Sequence, residues 1–210
     1  MAGSRTGVAA GIALFALATL TACNLPATAG GDSGAPLPSD STQQLASLKI
    51  AAAGPMTGYS RDRFGGDWIK QADGCDTRVD VLKAQGKEVK SKGCTVTSGK
   101  WISLYDGATV TSPHDLDIDH LVPEAESWRT GAAQWTQAQR VAFANDLDEL
   151  VAVTAHSNRS KGDQPPPGYM PVQSEWCDYA THWIKVKAKY KLTISQAEHD
   201  ALTQMLGACH

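Results

Sequence analysis

Along this chain the apolar positions change their period several times, and each change marks an element. Residues 8–20 form an almost unbroken apolar run behind a single cationic residue, Arg5, and lead through small residues to Cys23. A run so short and so weakly flanked predicts a secretory signal over 1–22 rather than a spanning helix. Residues 23–45 are rich in Pro, Gly, Ser and Thr and carry few large apolar side chains. Such a stretch buries too little surface to fold and predicts a disordered tether. Residues 46–210 then have the length of one domain, and no internal repeat divides them.

Within that domain, residues 47–53 read as a short strand or the start of a helix, and "TRVDVLKAQ" (77–85) reads as a short helix. After Gly93, β-branched and aromatic residues alternate with polar ones. This predicts a hairpin with arms Thr95–Thr97 and Lys100–Tyr105 about a turn at Ser98-Gly99. The stretch "DLDIDHLVPEAESW" (115–128) opens as a short strand stopped by Pro123. Ala138, Val141, Ala142 and Phe143 fall near helical spacing, with Thr136 as the cap. "ELVAVT" (149–154) is a short apolar strand. The next residues allow one or two helical turns before Pro165, Pro166 and Pro167 halt them. Two further helices, capped at Ser174 and at Ser195 or Thr193, complete an α+β fold with short strands.

Charge narrows the range of partners. Nineteen basic residues against twenty-two acidic ones give a net charge of −3, so any nucleic-acid contact must rest on local patches. Cysteine usage points outside the cytoplasm. The "LTAC" ending at Cys23 resembles a bacterial lipobox, which implies cleavage before Cys23 and a lipid anchor there, holding the protein to the outer face of the membrane. Ordinary cleavage nearby, releasing a soluble protein, is the alternative. Cys75, Cys94, Cys177 and Cys209 remain, an even number that suggests two disulfides with three connectivities. Pairing Cys75 with Cys94 and Cys177 with Cys209 closes two modest loops and is the simplest arrangement. No C-x-x-C pair supports a zinc site.

Two segments are polar where packing elements would be apolar: "DHLVP" (119–123) and "NRSKGD" (158–163). In that order they resemble the HNH endonucleases, the ββα-metal or His-Me finger group. Tyr59, Arg61, Phe64, Gly65 and Trp68, then "CDTR" (75–78), then Trp101, Tyr105 and Gly107, extend the likeness. They are similar to secreted bacterial HNH proteins related to the C-terminal domain of GmrSD restriction enzymes. The resemblance covers about Tyr59 to Cys209. It implies a ββα-metal core with an inserted helix, an N-terminal hairpin region and C-terminal helices. It also implies cleavage of DNA, with RNA as the alternative, leaving 5′-phosphates.

The residues suit that chemistry on physical grounds. Phosphodiester hydrolysis needs a base for water, and an imidazole of ordinary pKa near 6.5 is largely neutral at pH 7, so His120 is the expected base. Asp119 and Asn158 offer hard oxygens to one cation, favouring Mg²⁺ with Mn²⁺ as the alternative. Lys161, Arg159 and His156 are expected to face phosphates, whereas Asp117 reads as a solvated strand charge. The imidazole needs a support, either Glu149 by register or Asn145 from the preceding turn. Neighbours in a flat strand point to opposite faces, so Asp119 and His120 must lie at a strand end or a strong twist. No separate reading module is present, which predicts non-specific cleavage. The rival expectation is a cell-surface lipoprotein that binds nucleic acid on the same scaffold without hydrolysing it.

Overall fold

A computed structural model describes residues 38–209. The expected signal peptide, Cys23 and most of the expected tether lie outside them. Helix α1 (Pro38–Ser47) takes up the end of that tether. It folds because Leu45 is buried in the core. No strand forms over 47–53; a single parallel bridge joins Ile50 to Ile194.

Helix α2 (Thr77–Gln85) matches the sequence reading, and the Asp76 carboxylate accepts from the Val79 amide to cap it. The hairpin is displaced from its expected place. β1 (Lys87–Lys92) turns at Gly93 into β2 (Thr95–Ile102), which runs straight through Ser98-Gly99 and pairs on its other side with β3 (Thr109–Val110). Gly99 looked like a turn residue, but it is a contact residue. A Cβ there would come within 2.5 Å of the Trp101 ring.

The central pair is β4 (Leu116–His120) and β5 (Leu150–Thr154), antiparallel, with Asp119 opposite Val151 and His120 opposite Leu150. Between them run α3 (Glu124–Thr130) and α4 (Gln137–Ala144). Pro123 does not simply stop the chain; it precedes the first turn of α3, where a proline costs no helical hydrogen bond. Thr136 caps α4 through a capping box with Gln139, as its spacing predicts. After β5 the chain enters α5 (Ala155–Lys161) at once, capped by Thr154. Strand, strand and helix thus follow one another around the 119–161 region.

β5 is apolar along its length because it has a core on each side. Leu150 and Ala152 pack with Trp101, Leu82, Leu116 and Ile118. Val151 and Val153 pack with Phe143, Tyr179, Trp183 and the C-terminal helices. Its outer backbone edge is covered by side chains: the Gln85 amide donates to the Leu150 carbonyl at 2.7 Å and accepts from the Ala152 amide at 2.8 Å, and the Ser103 hydroxyl accepts from the Thr154 amide at 3.2 Å. This satisfies groups that a buried edge cannot leave bare.

Helix α6 (Trp176–Lys189) begins after a 3-10 turn, Gln173–Glu175, so Ser174 lies in that turn and does not cap the helix. Helix α7 (Gln196–Leu206) is capped by Ser195. The disulfides are Cys75–Cys94 and Cys177–Cys209, with Cα separations of 5.2 and 5.0 Å. A buried ammonium, Lys187, joins α3, α6 and α7: its Nζ lies 2.9 Å from Glu126 and 3.1 Å from Glu198. Removing that charge leaves buried Glu198 without a cation and Glu126 with Arg129 alone. Lys187→Met is therefore expected to lower unfolding free energy by about 3–5 kcal/mol. Adding Glu126→Gln and Glu198→Gln should recover part of the loss, as read by urea denaturation.

Candidate functional site

The alternation along β4 sends Leu116 and Ile118 into one core and Asp117 and Asp119 toward α5. His120 is the last residue of the strand. A cavity of about 390 Å³ wraps around this strand end, so both neighbours line it although they leave the backbone on opposite faces. Asn158 and Arg159 of α5 line it as well, with Arg61, Trp68 and Glu124. Asp119, His120 and Asn158 therefore meet at one cavity, from segments far apart in sequence.

Each of the three is held. Oδ2 of Asp119 accepts from the Lys161 ammonium and from the Tyr105 hydroxyl, each at 2.7 Å. Among the described residues its Oδ1 has no partner. The Asn158 amide nitrogen donates to Asp117 at 3.0 Å. Because a carboxylate only accepts, this fixes the amide's orientation and leaves its oxygen for another partner. Asp117 is thus a positioning partner rather than a merely solvated charge.

The imidazole of His120 lies between two rings, Trp68 at 5.7 Å and Phe143 at 6.4 Å. Its Nε2 is 3.0 Å from the Ala144 carbonyl. A carbonyl can only accept, so Nε2 carries the proton and Nδ1 keeps the lone pair. Burial lowers the His120 pKa to about 4, against the opposing pull of the Asp119 charge. The ring is therefore neutral across the physiological range.

Neither expected support holds the ring by its side chain. Glu149 is buried, and both its oxygens accept from the Val122 amide, at 3.1 and 3.4 Å. Burial pushes its carboxyl well above the ordinary range. Asn145 instead joins the segments around it: Oδ1 accepts from Ile69 N and the Thr77 hydroxyl, and Nδ2 donates to the Val141 carbonyl. It acts one step removed, by fixing the end of α4 where the Ala144 carbonyl meets the ring.

The expected phosphate contacts divide. Arg159 is exposed and lines the cavity. Lys161 is wholly buried, its Nζ donating to Asp119 and to the His120 carbonyl, so it is a positioning residue and not a free phosphate contact. His156 is exposed on a separate shallow cleft beside His114.

Sequence reading missed Glu124, whose Oε1 is 3.8 Å from His120 Nε2. Burial raises its pKa to about 7, with Arg61 pulling the other way. Its signal was the four-residue interval from His120 across Pro123, hidden because Pro123 was read as the stop of a strand and not as the start of a helix. Tyr105 was noted only as part of a motif.

A metal fits this donor set only sparsely. Among the described residues no three His, Cys, Asp or Glu side chains gather as a metal cluster. Asp119 and Asn158 offer two hard oxygens, which suits a cation that retains several waters.

Fold and site together define an α+β domain with a polar cavity at the end of a short strand pair. The chain belongs to the family of GmrSD restriction endonucleases, C-terminal domain, which it matches over residues 76–205. It is also 48% identical over 200 residues to an uncharacterized secreted protein of Arthroderma benhamiae, across 92% of this chain and 98% of that protein. No solved structure matches it.

His120 and Glu124 should respond oppositely to pH. The folded pKa of His120 lies below its usual value, so its contribution to stability is lost as pH falls from about 6.5 toward 4. That of Glu124 lies above, so its contribution is lost as pH rises from about 4.5 toward 7. His120→Gln should gain on the parent in acid and Glu124→Gln toward neutrality. Each gain should reach on the order of 3 kcal/mol in chemical denaturation curves taken across that range.

Proposed function

We propose that the protein is an exported HNH-type endonuclease that hydrolyses DNA phosphodiester bonds without sequence specificity, with Mg²⁺ or Mn²⁺ as its cation. The observation that carries this reading is the single cavity shared by Asp119, His120 and Asn158. Membership of a family of restriction-endonuclease domains supports it, as does the β4–β5–α5 succession. Two disulfides and a relative named as secreted support export.

In this reading the lone pair on His120 Nδ1 takes a proton from the attacking water. The Ala144 carbonyl holds Nε2–H, and the flanking rings of Trp68 and Phe143 keep the imidazole in one plane. A base with pKa about 4 is weak but is never lost to protonation at neutral pH. Oδ1 of Asp119 and the amide oxygen of Asn158 would hold the cation, which would supply positive charge to the phosphate. Lys161 and Tyr105 keep Asp119 aimed by occupying its other oxygen. Arg159 contributes charge at the cavity wall, where a phosphate enters. A lipid anchor at Cys23 belongs to the same proposal and concerns residues outside those described.

The test is plasmid nicking by the oxidised protein with Mg²⁺. The parent should nick, and His120→Ala should lose at least about a hundredfold in rate, the usual scale of general-base catalysis. Asp119→Asn should also lose activity. Binding without nicking across several divalent ions would remove the enzyme and leave a nucleic-acid-binding lipoprotein.

A further inference from the structure

The β1–β2 hairpin concentrates positive charge away from the cavity. Lys87, Lys90, Lys92 and Lys100 are all exposed, against one glutamate, Glu88. Lys83, Lys161, Lys185, Lys187 and Lys189 each close an ion pair elsewhere. Among the described residues none of the hairpin four does. Lys87 and Lys100 stand directly opposite each other across the ladder, where like charges repel.

Lysines on an edge strand guard against unwanted strand addition, which accounts for those of β1. It does not account for Lys100, because β2 is flanked by β1 and β3. The arm is also firmly mounted. The Cys75–Cys94 disulfide ties its turn to the start of α2. At its base, buried Trp101 donates to the Leu82 carbonyl at 2.9 Å. A cluster of unneutralised ammonium groups on one mounted hairpin repels itself until a polyanion lies against it. From Lys87 to Lys92 the strand extends at most roughly 16 Å, at about 3.3 Å per residue, and register shifts at Lys90 shorten it. A DNA duplex presents roughly one phosphate per 3.4 Å of its axis on each strand, so a cluster of this extent can meet several.

We propose that this hairpin is a second contact surface for the phosphate backbone of long duplex DNA, outside the cleavage cavity. The proposal rests on the nuclease reading for its purpose, though its binding is measured independently. It makes the hairpin an exosite: it raises affinity for long DNA and leaves the chemistry at His120 untouched.

The experiment uses the oxidised protein with Lys87, Lys90, Lys92 and Lys100 all changed to Gln, beside a second variant with all four changed to Arg. Binding to a long duplex fragment without divalent ions is followed against salt concentration. The slope of log affinity on log salt should become shallower by roughly 3–4 in the Gln variant and stay parental in the Arg variant. Cleavage of a duplex just long enough to fill the cavity should proceed at the parental rate in both. A parental slope in the Gln variant overturns the proposal. So does a loss of binding to phosphatidylserine vesicles with the DNA slope unchanged, which would make an anionic membrane the partner. If the parent cuts no duplex, the nuclease reading fails, while the salt slopes still decide the hairpin's role.

Discussion

The site depends on one buried ammonium. Lys161 lies at the end of α5 with no exposure, and its Nζ is shared between the Asp119 carboxylate and the His120 carbonyl, over the face of Tyr105. A buried charge is tolerated only when its partners are well placed, and it punishes any that move. That contact fixes the last two residues of β4 against α5. Asp119 then has one oxygen committed and one without a partner among the described residues, and Asn158, three residues before the lysine on the same short helix, lines the same cavity. What looked in sequence like a surface cation awaiting phosphate is an internal fixture that ties the end of β4 to α5.

A second layer of support reaches the imidazole indirectly. Asn145 gathers Ile69, Thr77 and Val141 around the end of α4, and the neighbouring Ala144 carbonyl meets Nε2. Trp68 arrives from the same lead-in segment as Ile69. The ring is thus positioned by packing and one backbone acceptor, and among the described residues no carboxylate is closer than Glu124 at 3.8 Å. Such an arrangement favours a neutral ring over an imidazolium, consistent with its lowered pKa.

Much of the fold was legible where local chemistry decides it. α4 begins at a cap written in the chain, Thr136, α7 at one of the two candidates, Ser195, and α2 spans the stretch its composition marks as helical. β5 is an apolar run short enough to be a strand and apolar enough to need cover on both faces. The hairpin failed because Ser98-Gly99 carries turn chemistry, while Gly99 is needed for close approach to the Trp101 ring, a tertiary demand invisible along the chain. α3 failed because Pro123 was taken as a stop, whereas a helix can begin on it. In the site, the adjacency of Asp119 and His120 and the position of Asn158 were readable. The burial of Lys161, the diversion of Glu149 to the Val122 amide and the use of a backbone carbonyl were not, since each depends on which groups are left facing one another after folding.

The two strands that bring the site together are separated by residues 121–149, a helical excursion rather than a tight turn. Long-range pairing of this kind gains nothing until the intervening loop is closed and packed. Until residues 121–149 have folded, the Asp119 carboxylate and His120 imidazole therefore lie on one segment and the Asn158 amide on another, with no shared cavity between them.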